Sequence, residues 1–222
     1  MATKRVVHIV GNGDNAHLYK VKKRIGLKLT CNLPPFPVPG AYASCIVDFK
    51  FMHAMTIGEV VCPGDWILGQ RPKIWMDQHP SFYVNYSKQV KGFYTELPDY
   101  AANYTDFNCG HMATHFACNK LRADEVHLYG FDSVLDFNLR SITDVYLSSL
   151  RDNDNNYRLS DNWRPVWVGL FKEFHNTNFI FHHTHDKLKI PQGPNVSVEV
   201  YSGNVKAPDE LVKGAIPGRP DL

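Results

Sequence analysis

Hydrophobic residues in this chain fall into short runs separated by Gly, Pro, Asn and Asp, and the runs alternate between two periods. Residues 5–10 (RVVHIV) are an apolar β-run, broken by Gly11-Asn12-Gly13-Asp14-Asn15, a loop of residues that tolerate φ > 0. A helix is expected over 15–24 and a second strand over 27–30, leading to Cys31-Asn32. The PPFPVPG segment has four prolines in seven residues, so it is an ordered loop or a semi-rigid spacer rather than helix or central strand. Residues 44–49 (SCIVDF) read as a third strand with Asp48 near its end. Residues 66–94 carry Trp, Tyr, Ile and Val in short runs and predict two or three further strands.

The clearest stretch is NCGHMATHFACNKLRADEVHLYGFD, from Asn108 to Asp132. A Gly turn feeds one amphipathic helix, with Met112, Phe116 and Leu121 as its core stripe and His111, His115 and Asn119 on another face. Val126, Leu128 and Tyr129 then form a β-run that stops at Gly130. Residues 133–162 are rich in Asn, Asp, Ser and Arg and predict a lid, because long connections in compact domains commonly serve as lids or binding loops. A helix capped by Asp161 or Asn162 is expected over 163–174, a strand over 178–182 and a last edge strand over 196–201. From 202 the chain reads as a loose tail.

Strands alternating with helices predict one α/β domain over 1–201: Rossmann-like, with a mostly parallel sheet, helices on both faces and the lid inserted. With 222 residues and 44% hydrophobic content the chain can bury a sizeable core. No apolar run approaches the ~20 residues of a membrane span, which favours a cytoplasmic protein. Five cysteines, odd in number and without CxxC, point to reduced thiols. A formal charge of +2 announces no nucleic-acid partner by itself; the densest basic group is Lys20, Lys22, Lys23, Arg24 and Lys28, read as a solvated face.

Candidate chemistry gathers at strand ends. Gly11-Asn12-Gly13 is a short phosphate-loop candidate without the G-K-[ST] of a Walker loop or the third Gly of the dinucleotide fingerprint. Asn108-Cys109-Gly110 opens a helix whose N-terminus suits phosphate, and Asp132 ends a strand on the crevice side. Asp152-Asn153-Asp154 fits a metal-holding D-x-D but sits in a run built for turns. His111 and His115 have zinc spacing, yet Met112 stands where a hydrolytic site needs Glu. The cluster from His182 to Asp186, including His183, could bind metal, line a site after the strand, or be a solvated turn.

Taken in order, IVGNG at 9–13, TCN at 30–32, NCG at 108–110 and ADEVHLYGFD at 123–132 resemble the bacterial sialyltransferase-like glycosyltransferases. The likeness covers about 170 residues but is strong only in these blocks. It implies a nucleotide-sugar donor, UDP- or CMP-linked, held as substrate by Gly11, Asn12, Gly13, Asn32, Asn108, Cys109, Gly110 and Asp132. Arg158 and Arg164 beside the lid, and His183 after the last parallel strand, are read as further donor-binding residues. No cofactor or metal is implied; helix N-termini, hydroxyls and arginines, Arg151 included, would meet the leaving charge. The departures are Asp14-Asn15 in place of Pro-Ser, Cys109 in place of Ser, and no His anywhere in 133–174 to serve as lid base. The base is therefore sought among Asp48, His111, Asp161 and His183, with Asp161 favoured for its place before the 163–174 helix. The segment from Gly130 to Trp167 also resembles proteins of large tailed phages. That suggests a hydroxymethylated pyrimidine in phage DNA as acceptor and the host cytoplasm as location. A glycan-directed transferase and a nucleotide-binding module without catalysis are the alternatives.

Overall fold

The computed structural model describes residues 4–136 and 158–203. The interior of the expected lid, Arg151, Asp152-Asn153-Asp154, the side chain of Arg158 and the tail from 204 lie outside the described residues.

The strands are β1 (Val6–Val10), β2 (Leu27–Cys31), β3 (Ala43–Ile46), β4 (Trp66–Leu68), β5 (Val90–Phe93), β6 (Glu125–Tyr129), β7 (Asn178–His183) and β8 (Val196–Val200). All pair in parallel in one sheet of order β5-β4-β3-β2-β1-β6-β7-β8. The chain walks outward from β1 to β5, then returns to the other side of β1 for β6 to β8. The strand order therefore reverses between β1 and β6, the place where open α/β sheets bind ligands.

The helices are α1 (Phe49–Thr56), α2 (Gln70–Asp77), α3 (Pro80–Tyr86), α4 (Cys109–Asn119) and α5 (Arg164–Glu173). Alternate residues of β3 and β4 show that both faces of the sheet are covered. Ala43, Cys45 and Ile67 join the core that includes Met112, Phe116, Trp167 and Phe171 of α4 and α5. Ile46, Trp66 and Leu68 pack instead with Phe51, Met52, Met76 and Phe82 of α1, α2 and α3. Burial on both sides is why these strands carry apolar runs rather than strict alternation.

Two expectations are corrected and one is completed. Between 66 and 94 the two strands expected are β4 and β5, and the unexpected helices α2 and α3 lie between them. Their aromatic residues are spaced to close over Trp66, which stacks on Phe82 and Tyr86. The third strand stops at Ile46 because Asp48 caps α1, its carboxylate accepting the Lys50 N–H at 3.0 Å. The segment after β1 is a 3₁₀ helix, Asp14–Val21, rather than an α-helix over 15–24. The two ends of the segment expected to be a lid are a 3₁₀ turn at Asp132–Val134 and a π-type turn at Arg158–Trp163. The proline-rich loop is anchored by Phe36, buried against Val10 and Ala16.

Under the 3₁₀ helix, β1, β6 and β7 present a row of imidazoles, buried at His8 and His182 and half-buried at His127. The His8 and His127 rings stack with centroids 4.7 Å apart, and His127 Nδ1 lies 2.9 Å from His182 Nε2. Tyr129 stacks on His182, and the Arg24 guanidinium covers Tyr129. The basic group is the expected solvated face at Lys20, Lys22 and Lys23, with Lys22 paired to Glu199 and Lys20 over the Phe36 ring. Arg24 is the exception, buried and donating to Leu18 O and Tyr201 Oη.

Candidate functional site

At the switch point the loop after β1 is zipped to the end of β6. Gly11 N–H donates to Tyr129 O at 2.7 Å and Gly13 N–H to Gly130 O at 3.0 Å. A Cβ on Gly11 would fall 2.8 Å from Gly130 O, and one on Gly13 would overlap the Asp132 carboxylate. Close approach of two loops, not a positive φ, is what requires glycine at 11 and 13. At this site the left-handed residues are Gly130, at φ +72°, and Asn32, at φ +48°.

Phe131 forms the floor between the two halves of the site. Its Cε2 faces Gly11 and its Cε1 faces Gly110 at the start of α4. Asn32, at the end of β2, reaches the same turn, its amide donating to Cys109 Sγ at 3.6 Å. Asn12, Asn32, Cys109, Gly110 and Asp132 therefore converge on the carboxyl ends of β1, β2 and β6. Three oxygens there are buried without a hydrogen-bond partner: Asn12 Oδ1, Asn32 Oδ1 and Asp132 Oδ1. Burial pushes the Asp132 carboxyl above the usual range, while its Oδ2 accepts the Asn15 N–H at 3.1 Å.

Asn108 closes α4 with a reciprocal cap: its Oδ1 accepts the His111 N–H at 3.1 Å, and His111 Nδ1 accepts the Asn108 N–H at 3.2 Å. His111 is completely buried, and that burial lowers its pKa to about 3. The sequence places His111 at the turn as a contact or base; the fold makes it part of the cap. His115 is spent elsewhere, bonded to Tyr94 Oη and 3.2 Å from the Glu173 carboxylate, so the two helix histidines hold no common ligand position.

At the end of β7, His183 Nε2 lies 2.9 Å from Asn15 Nδ2, 3.1 Å from Asp136 Oδ2 and 3.7 Å from Asp132 Oδ1. His185 Nε2 lies 2.8 Å from the other Asp136 oxygen. Arg164 is buried, and its guanidinium donates to Ser133 O at 3.1 Å and Asp136 O at 2.8 Å. These bonds hold the turn that carries Asp136, whereas the sequence assigned Arg164 to the donor. Asn15, Phe131 and Asp136 had no role assigned from the sequence, and His185 was marked only as a member of the cluster from His182 to Asp186.

Asp48, as the cap of α1, sits beside a crevice on the same edge of the sheet, lined by Val47, Gln70, Arg71, Tyr94, Glu96 and Phe107. Asp161 is exposed in the π-type turn, next to Asn162, whose amide donates to Asp106 at 2.6 Å. That bond ties the turn to the approach of α4. All five cysteines are free. No described helix is long and apolar enough to cross a membrane.

No family model, curated protein or solved structure matches the chain.

Proposed function

We propose that this chain is a nucleotide-sugar-dependent glycosyltransferase that moves a sugar to a hydroxyl acceptor. The observation that carries the reading is the group of three unpartnered oxygens of Asn12, Asn32 and Asp132 beside the α4 N-terminus at the switch point. Buried acceptors without partners are costly, and they call for a ligand rich in O–H and N–H donors. A nucleoside and its sugar supply those donors, and the diphosphate suits the N–H groups and positive dipole end of α4. The likeness of the 9–13, 30–32, 108–110 and 123–132 blocks to sialyltransferase-like enzymes adds to this reading. The crevice toward β5 is the proposed acceptor side, and Asp161 the proposed base. The acceptor to test first is a hydroxymethylated pyrimidine in DNA, with a glycan as the comparison.

A second reading, a nucleotide-binding module without catalysis, draws on the same geometry. His111 and Asp48 serve as caps and His183 is engaged by Asn15 and Asp136, which leaves Asp161 as the solvent-facing candidate among the four bases.

Thermal melts with a panel of UDP- and CMP-sugars and their free nucleotides test the donor site. A ligand at ~100 times its dissociation constant stabilises by about 2.7 kcal/mol. Stabilisation by one nucleotide sugar, followed by release of its nucleotide in the presence of acceptor, supports the enzyme. Stabilisation without turnover supports the module, and a flat panel removes both.

A further inference from the structure

We propose that Asp132, Asp136, His183 and His185 form a divalent transition-metal site, with zinc as the ion that best suits their donor set. One ligand atom from each of Asp136, His183 and His185 can be chosen so that all lie within 4.8 Å of one another. Around a tetrahedral zinc with bonds near 2.0–2.1 Å, ligand atoms stand about 3.4 Å apart. The separations here are 3.1 Å from Asp136 Oδ2 to His183 Nε2, 2.8 Å from Asp136 Oδ1 to His185 Nε2 and 3.7 Å from Asp132 Oδ1 to His183 Nε2. Asp136, His183 and His185 already form a mutual group, and Asp132 Oδ1 approaches it from the His183 side.

The second observation is Asp132 itself. Its relative exposure is 7%, and Oδ1, the atom nearer His183, has no hydrogen-bond partner. Two carboxylates thus converge on one nearly buried imidazole nitrogen, which has a single proton to share between them. A dication answers this excess: two carboxylates and two neutral imidazoles supply two negative charges and two nitrogens, leaving the loaded site neutral. Arg164 would be a positioning residue, since it grips the backbone on either side of the turn that ends in Asp136.

Metal loading also requires a tautomer change. His183 Nδ1 accepts the His185 N–H and His185 Nδ1 accepts the Lys187 N–H, each at 3.2 Å, so each neutral ring carries its proton on Nε2. Binding through Nε2 moves that proton to Nδ1 in both rings, with no net proton released, and the two amides must turn aside. Residues 184–187 lie outside any helix or strand and are largely exposed, so the adjustment stays local.

A metal held by Asp132 Oδ1 leaves Asn12 and Asn32 as the unpartnered oxygens facing the donor, and the site is tested without glycosyl transfer. The full chain is freed of metal with a chelator, dialysed and titrated with zinc and, separately, manganese at neutral pH. One zinc per chain is expected, bound more tightly than manganese. Affinity should fall at least a hundredfold in His183→Ala and His185→Ala and at least tenfold in Asp132→Asn, while the exposed-site control His79→Ala leaves it unchanged. Nitrogen-15 spectra of the wild-type imidazoles guard against misfolded variants: zinc should move the proton of two rings from Nε2 to Nδ1. Absence of micromolar binding, stoichiometric binding kept by the His183→Ala/His185→Ala double variant, or unchanged tautomers would each overturn the site.

Discussion

A Cβ placed on Gly110 would lie 2.6 Å from Cε1 of Phe131, so the first turn of α4 rests directly on the ring that follows β6. Phe131 is almost fully buried and has little room to withdraw, because its opposite edge meets Gly11. Gly110→Ala should therefore overpack this contact and destabilise the fold by about 1–3 kcal/mol. Chemical denaturation measures it; a variant as stable as the parent would show that the ring has space to move.

Asn32 adopts φ +48°, so its amide and its backbone can be tested separately. Asn32→Ala loses the side chain and also strains the left-handed backbone by roughly 1–2 kcal/mol. Asn32→Gly loses the same amide without that strain. Both variants should bind the nucleotide sugar more weakly by a similar factor, yet only the alanine form should melt earlier. Undiminished donor affinity in Asn32→Gly would remove Asn32 from the site.

Acid should unfold this protein early. Burial lowers His8 to about 4, His111 and His182 to about 3, and His127 as well. Unfolded histidines titrate near 6.5, so below that pH the unfolded chain binds more protons than the native one. The stabilisation is complete above about pH 6.5 and is lost as pH falls toward the folded values. The loss approaches ~1.4 kcal/mol per pH unit for each histidine. Four together outweigh the opposite effect of Asp132, whose carboxyl is raised by burial. Against a usual stability of ~5–15 kcal/mol, the acid midpoint should fall near pH 4–5.5. His8→Phe should flatten the dependence by about one proton; an unchanged slope would show that His8 is protonated in the native state.

Asp161→Asn tests the base with little risk to the fold, since Asp161 is exposed and the neighbouring tie to Asp106 belongs to Asn162. Donor binding should persist, while turnover should fall by about 10²–10⁴-fold, the usual worth of a general base. Near-normal turnover would require another proton acceptor.

The pattern along the chain sets the α/β class, because Val, Ile and Leu runs ending in Gly or Asn alternate with helical spacing. It also marks the segments that meet at the switch point: IVGNG, TCN, NCG and YGFD each end a strand or open a helix. Parallel strands bring such ends to one edge of the sheet. Local signals were too weak where elements are short. α1, α2 and α3 have seven or eight residues each, too few to display a 3.6-residue repeat, and their Trp, Tyr and Phe residues read equally well as strand. They are helices because they must close over Trp66 and Ile46. Only the tertiary structure could decide that Gly13 yields to Asp132 and that His111 is buried as a cap. Only it could show that Asp136, forty-seven residues before His183, meets that ring, a distance along the chain that no spacing rule spans. Those roles depend on which atoms face one another across β1, β6 and β7, and that is set by strand order and register.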